Sequence, residues 1–143
     1  MKTEFVNPQK IKRHWYVIDA QNRVLGKIAT AAAHILRGKN KAIYNPGHDT
    51  GDFVIVINSK DLVLTGNKWD DKMYHHHSGY VGGLKSRTAS EVHQRDATEL
   101  VKMAIQGMLP KGPLGRKMLK KLKVYAHAEH GHEAQEPQPF ALA

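Results

Sequence analysis

Five consecutive apolar residues, FVIVI at 53–57, restrict the fold of this 143-residue chain more than any other stretch. A strand that faces water on one side alternates apolar with polar residues. A near-continuous apolar run is instead the mark of a central strand covered on both faces, a habit of parallel sheets. Parallel neighbours cannot be joined by a tight hairpin and need a crossover, usually a helix. The residues before 53 supply a partner strand and a helix. WYVID at 15–19 is a short run of aromatic and β-branched residues and predicts a strand. Residues 20–22 turn the chain, and Asn22 is placed to cap a helix running from about residue 23 to 37. Val24, Leu25, Ile28, Ala29, Ala32, Ile35 and Leu36 recur there at steps of three and four, and Gly38 is placed to end the helix in a left-handed conformation. Strand, helix and strand in this order predict an α/β layer with a right-handed crossover.

The rest of the chain is read by the same rules. Residues 1–14 are polar and basic, with Pro8 against regular structure, and predict an extended arm. NPGHDTGD at 45–52 is a loop by composition, residues 58–61 turn, and 62–65 predict a further short strand. The stretch 67–86 has no clean period, three consecutive histidines and three glycines, and predicts a long exposed loop with a strand at 72–75. Thr88 and Glu91 have capping-box spacing, as do Asp96 and Glu99, which predicts two successive helices, the second reaching about residue 108 with Leu100, Val101, Ala104, Ile105 and Met108 buried. A last strand is expected at 122–125, followed by an irregular tail. The expected division is one domain over 1–143: an arm at 1–14, a globular core at 15–125 and a tail at 126–143.

Charge narrows the function. The chain carries 22 Lys and Arg against 13 Asp and Glu, a formal net charge of +9 and a sequence pI near 9.8. All 22 basic residues precede Ala126 and three of the acidic ones follow it, so residues 1–125 carry +12. A domain this basic has the electrostatic footprint of a nucleic-acid binder. No stretch approaches the apolar length of a membrane span, and the first residues lack the apolar core of a signal peptide, so a cytosolic protein is expected. Cysteine is absent, which removes disulfides, thiol catalysis and cysteine-based zinc sites.

The basic charge is densest in IQGMLPKGPLGRKMLKKLKVY at 105–125. Pro110, Gly112 and Pro113 break the preceding helix, and Pro113 can open a new one, where its missing N–H costs nothing. That helix puts Leu114, Met118, Leu119 and Leu122 on one side and crowds Arg116, Lys117, Lys120, Lys121 and Lys123 around the rest. A face so charged repels itself unless a polyanion or salt neutralises it. After the first long helix come Arg37, Lys39 and Lys41, which would serve equally well as cations at the negative end of its dipole. Glycines 79, 82 and 83 allow close backbone approach to a phosphate, or plain loop flexibility. Trp69 and Tyr74 are candidates for stacking on bases, whereas Trp15 and Tyr16, within a strand, are expected in the core. His75, His76 and His77, and separately His127, His130 and His132, have spacings at which imidazoles bind zinc or nickel. Adjacent residues of an extended segment point to opposite faces, and no closed set of four ligands is present, so no metal or cofactor is expected. An enzyme is the weaker reading. Asp19, Asp52 and Asp61 sit at strand edges, but no base, nucleophile and orienting partner can be assembled from them, and DAQNRVLGK is neither a dinucleotide fingerprint nor a Walker loop.

Taken in order, WYVIDAQNRVLGKIATAAAHILRGKNK at 15–41, GDFVIVINS at 51–59, YHHHSGYVGGLK at 74–85 and GMLPKGPLGRKMLKKLKVY at 107–125 resemble the bacterial large-subunit ribosomal protein family L-thirteen. The likeness covers nearly the whole chain, and its last stretch is similar to the family's signature. Val81 stands where the family usually has proline, and Lys27 where it commonly has arginine. The resemblance implies a three-layer α/β/α sandwich around a small, mainly parallel four-stranded sheet. It also implies a monomer within the cytoplasmic ribosome that binds large-subunit ribosomal RNA early in assembly, beside neighbouring ribosomal proteins. No catalysis and no dealings with DNA or membrane follow from it. Matched to the family's motifs, the RNA-binding residues are Arg37, Lys39, Lys41, His76, Ser78, Gly79, Lys85, Arg116, Lys117, Lys120 and Lys121. Repression of its own messenger would use the same basic face.

Overall fold

The apolar run at 53–57 does form an inner strand, hydrogen-bonded on both sides. A computed structural model describes residues 5–142, in the order β1 (Trp15–Asp19), α1 (Leu25–Arg37), β2 (Phe53–Ile57), α2 (Lys68–Asp71), β3 (Met73–His77), β4 (Leu84–Thr88), α3 (Ala89–Arg95), α4 (Glu99–Met108), α5 (Pro113–Leu119), β5 (Leu122–Val124) and β6 (Gln138–Pro139). The four-stranded sheet has the order β5-β2-β1-β6, and every pairing in it is parallel. The register sets Trp15 beside Phe53 and Ile18 beside Val56.

Topology explains the three layers. The crossovers from β1 to β2 and from β2 to β5 step the same way along the sheet, so right-handed connections place their helices on one face. There Ile18, Val54 and Val56 meet Ile28, Ile35 and Leu36 of α1, Leu100 and Ile105 of α4, and Met118 of α5 in one buried core. The crossover from β5 to β6 steps back across the whole sheet and must cover the other face. Its single 3₁₀ turn, Glu133–Gln135, follows His132, which lies against Trp15 and accepts or donates a 2.7 Å hydrogen bond with the Tyr125 hydroxyl. Trp15 stacks on Phe53 on this face, with ring centroids 4.3 Å apart. The expected α/β/α sandwich is therefore present, its third layer supplied by the C-terminal segment.

Several local expectations are corrected. Asn22 does not cap α1: its φ of 53° is left-handed, and its N–H donates to the Asp61 carbonyl within a turn. The helix starts at Leu25, with Val24 at the cap position and no side-chain cap. Residues 62–65 form no strand of the sheet, because Val63 makes only an isolated bridge to Val24 while Leu62 and Leu64 are buried. Within the stretch expected as a long loop, the strand expected at 72–75 is present as β3, but the stretch also holds a helical turn, α2, and a second strand that closes the antiparallel hairpin β3–β4. The tail is mostly irregular, but β6 pairs with β1 and the Phe140 N–H donates to the Val17 carbonyl. Pro139 is tolerated because β6 is an edge. The arm turns once, in a 3₁₀ segment at Pro8–Lys10 capped by Asn7. Its first four residues, like residue 143, lie outside the described residues. Asp96 does not open α4 through a capping box; its carboxylate accepts from the Thr98 N–H and hydroxyl, both at 2.8 Å, which hold its pKa below the usual carboxylate value. Met108, expected in the buried stripe of α4, is exposed.

The capping box at Thr88 and Glu91 is formed in both directions, with the Thr88 N–H donating to Glu91 and the Glu91 N–H to the Thr88 hydroxyl. Thr88→Ala is expected to cost about 1 kcal/mol, read from the urea midpoint of unfolding at unchanged slope.

Candidate nucleic-acid interface

The eleven residues singled out from the sequence fall into three situations. Lys39, Arg116, Lys117 and Lys120 are exposed around the C-terminal ends of α1 and α5. His76, Ser78, Gly79 and Lys85 are exposed on the β3–β4 hairpin. Arg37, Lys41 and Lys121 are engaged within the protein.

The third set has a structural cause. A helix leaves its last carbonyls without intrahelical partners, and those of α1 end inside the molecule. Gly38, at φ 78°, turns its N–H back onto the Ile35 carbonyl. The loop 49–52 then docks on the same end, the Asp52 N–H donating to the Ile35 carbonyl and the Thr50 hydroxyl to that of Arg37. Gly51 is needed here, since a Cβ would lie 1.8 Å from the Leu36 carbonyl oxygen. Lys121, 5% exposed, reaches Asp49 Oδ1 at 2.5 Å and the Leu36 carbonyl at 3.3 Å. Burial pushes its pKa down from the ordinary lysine value against the pull of Asp49. Lys41 lies 2.5 Å from the fully buried Asp52, whose Oδ1 also accepts the His14 N–H. Arg37 donates to the Tyr44 hydroxyl at 3.0 Å. In this arrangement Lys121 stabilises the joint between α1 and the loop and presents no charge to a phosphate.

The hairpin has the opposite character. His76 pairs with Lys85 and Tyr74 with Arg87 across the two strands. Nearly every residue of both strands is exposed, and at the tip so are Tyr80 and Val81. A lone two-stranded ribbon is marginal in water. This one is anchored at its base, where the Ala89 N–H donates to the Lys72 carbonyl and Lys72 Nζ lies 5.6 Å from the Tyr74 ring centroid. Between one face of the hairpin and α3–α4 opens a cleft of about 450 Å³. Its basic side chains are His75, His76, Lys85, Arg87 and Arg95. Burial raises the pKa of the Tyr74 phenol at its inner end. Arg87 and Arg95 were not singled out from the sequence. The alternation Lys85, Ser86, Arg87 is the period-two signal that places Lys85 and Arg87 on one face.

Two of the three aspartates an enzyme would need have other duties. Asp19 accepts from the Gln21 N–H and the Asn58 amide, and Asp52 is paired with Lys41. Among the described residues no three His, Asp or Glu side chains converge as a metal site, and no helix is long and apolar enough to cross a membrane.

The chain is thus a parallel α/β domain with exposed cations beside α1 and α5 and an exposed basic ribbon. The family model described as Ribosomal protein L13 matches residues 13–131. A protein of Dictyoglomus thermophilum named large ribosomal subunit protein uL13 is 56% identical over 142 residues, covering 99% of this chain and all of the relative. Those of the same name from Pelobacter propionicus and Geobacter sulfurreducens are each 54% identical, over 142 and 140 residues and at least 98% of both chains. The chain belongs to the ribosomal protein L13 family of the large subunit, a family of structural proteins and not of enzymes.

Proposed function

We propose that this protein binds large-subunit ribosomal RNA through its basic surface and stabilises the RNA fold early in subunit assembly, beside neighbouring ribosomal proteins. Its place is the ribosome, in the cytoplasm. The observation that carries the reading is the division of the cations. Lys41 and Lys121 are paired with Asp52 and Asp49, while Lys39, just past α1, and Arg116, Lys117 and Lys120, in and just past the last turn of α5, stand exposed, and the hairpin carries a second group. Phosphate contacts from such side chains supply sequence-independent affinity and make it steeply salt-dependent. Two basic groups on one rigid domain suit a clamp that fixes RNA helices by their shape and backbone.

The test is binding of the purified protein to large-subunit ribosomal RNA over a salt series, beside the double variant Lys117→Ala, Lys120→Ala. The wild type should lose affinity steeply with salt, and the variant's log–log slope should be shallower by about two. Lys121 stays wild type, since its loss acts on folding. An unchanged slope would remove α5 from the RNA surface, and absence of salt-dependent binding would overturn the reading.

A further inference from the structure

We infer that the cleft between the β3–β4 hairpin and α3–α4 holds a single unpaired nucleotide of the bound RNA and selects bases that carry an exocyclic amino group. This rests on the RNA-binding reading above and adds base recognition to it. Three properties of the cleft carry the inference. Its rim is cationic: Lys85 and Arg87 stand side by side on one face of the hairpin, and Arg95 approaches from the end of α3. Its floor is not, being built from the Tyr74 ring, the Met103 thioether and the buried Val92 side chain. A surface that only gripped phosphates would have no use for an apolar floor beneath its cations. The third property is one carboxylate, Glu99 at the start of α4, among the lining residues. A carboxylate facing a polyanion is unfavourable unless a donor meets it, and the amino groups of cytosine and adenine are such donors.

Phosphate, planar base and amino group together describe a nucleotide. The cleft volume of about 450 Å³ is that of a small-molecule pocket and far too small for a duplex. Paired A-form RNA turns its bases inward, so the occupant is an unpaired residue splayed from a loop or bulge. Stacking on Tyr74 and contact with Met103 would hold the base, and Glu99 would accept from its amino group.

The full-length protein, labelled with ¹³C in the methionine methyls and with Met103 assigned through Met103→Leu, is titrated with the octamers rA8, rC8 and rU8. The ribosomal RNA salt series is run in parallel. The Met103 methyl should move upfield by ring current with rA8, and rA8 and rC8 should bind roughly tenfold more tightly than rU8. Glu99→Gln should bring the three octamers to within about twofold of one another. Salt-dependent binding of ribosomal RNA with a silent Met103 methyl, or with equal affinity for the three octamers, overturns the nucleotide cleft and leaves the general reading intact. That result would also follow if the cleft served an acidic protein segment. Failure of ribosomal RNA and octamers alike overturns both.

Discussion

Lys121→Ala is expected to destabilise the protein by about 3 kcal/mol, far more than any other single lysine of the basic stretch. The neighbouring Lys117→Ala and Lys120→Ala, on exposed side chains, should each stay within about 0.5 kcal/mol of the wild type. Removing Lys121 leaves the mostly buried Asp49 carboxylate with only Arg13 beside it, at 3.9 Å, and takes a donor from the Leu36 carbonyl at the end of α1. The cost of such a change is mainly that of the stranded carboxylate. A cycle separates the two contributions. Asp49→Asn combined with Lys121→Met keeps the packing of the lysine stem and removes both charges, and should recover most of the loss seen in Lys121→Met alone. Equal stability of the single and double variants would show that the pair contributes nothing beyond packing. The pH dependence has a definite sign. The Lys121 pKa is lower in the folded protein than in the unfolded chain. Between those two values the unfolded chain binds more protons, so this group's contribution to stability rises as pH increases through that window. Lys121→Met should abolish that alkaline rise.

Lys121 also marks the limit of what was legible in the sequence. In KMLKKLKVY nothing separates residue 121 from residues 117 and 120, because charge alone assigns all of them to the surface. What sends Lys121 inward is Asp49, 72 positions earlier, and the Leu36 carbonyl at the end of α1. Both are partners that no local pattern announces. The same holds for β6: two residues, one of them proline, carry no strand signal, and only the exposed edge of β1 makes them a strand. By contrast β1 and β2 were legible because each places consecutive side chains on two covered faces, which leaves an apolar run. Of the hairpin only the strand at 72–75, now β3, was foreseen, and β4 was missed for the converse reason. Both its faces are exposed, so burial imposed no alternation of apolar and polar residues on 67–86, and the glycines and histidines read as a loop. Asn22 misled because capping and left-handed turns favour the same residue type. Of the candidate site, the exposed cations of α5 and the pair His76 and Lys85 were legible. The cleft was not, since Arg95, Glu99 and Met103 reach it from helices whose sequence signal concerns only their buried side.

Gly115→Ala is the other change expected to have a large effect, and it tests whether the position of α5, and not its charge alone, matters. Gly115 sits in the first turn of α5 over the bend at Pro110, and a Cβ there would lie 1.7 Å from the Pro110 carbonyl oxygen. That obstacle is backbone, so the helix or the bend must move by more than an ångström to restore ordinary contact. Neither can move cheaply. Met118 holds α5 in the core, and Lys121, two residues past its end, is tied to the loop and to α1. Overpacking of this kind costs about 3 kcal/mol. Gly107→Ala is the matched control, because Gly107 lies within α4 with open space around its Cβ position. Helix propensity alone should make that change neutral or stabilising by up to about 1 kcal/mol. At a temperature where Gly115→Ala remains folded, its affinity for ribosomal RNA should also fall, although no charge has been removed, because Arg116, Lys117 and Lys120 move with the helix. Thermal unfolding and binding measured on the same samples distinguish the cases. A drop in stability with unchanged affinity would mean that the lysines reach phosphate wherever the helix stands, as flexible point charges do, and that the rigid clamp is unnecessary.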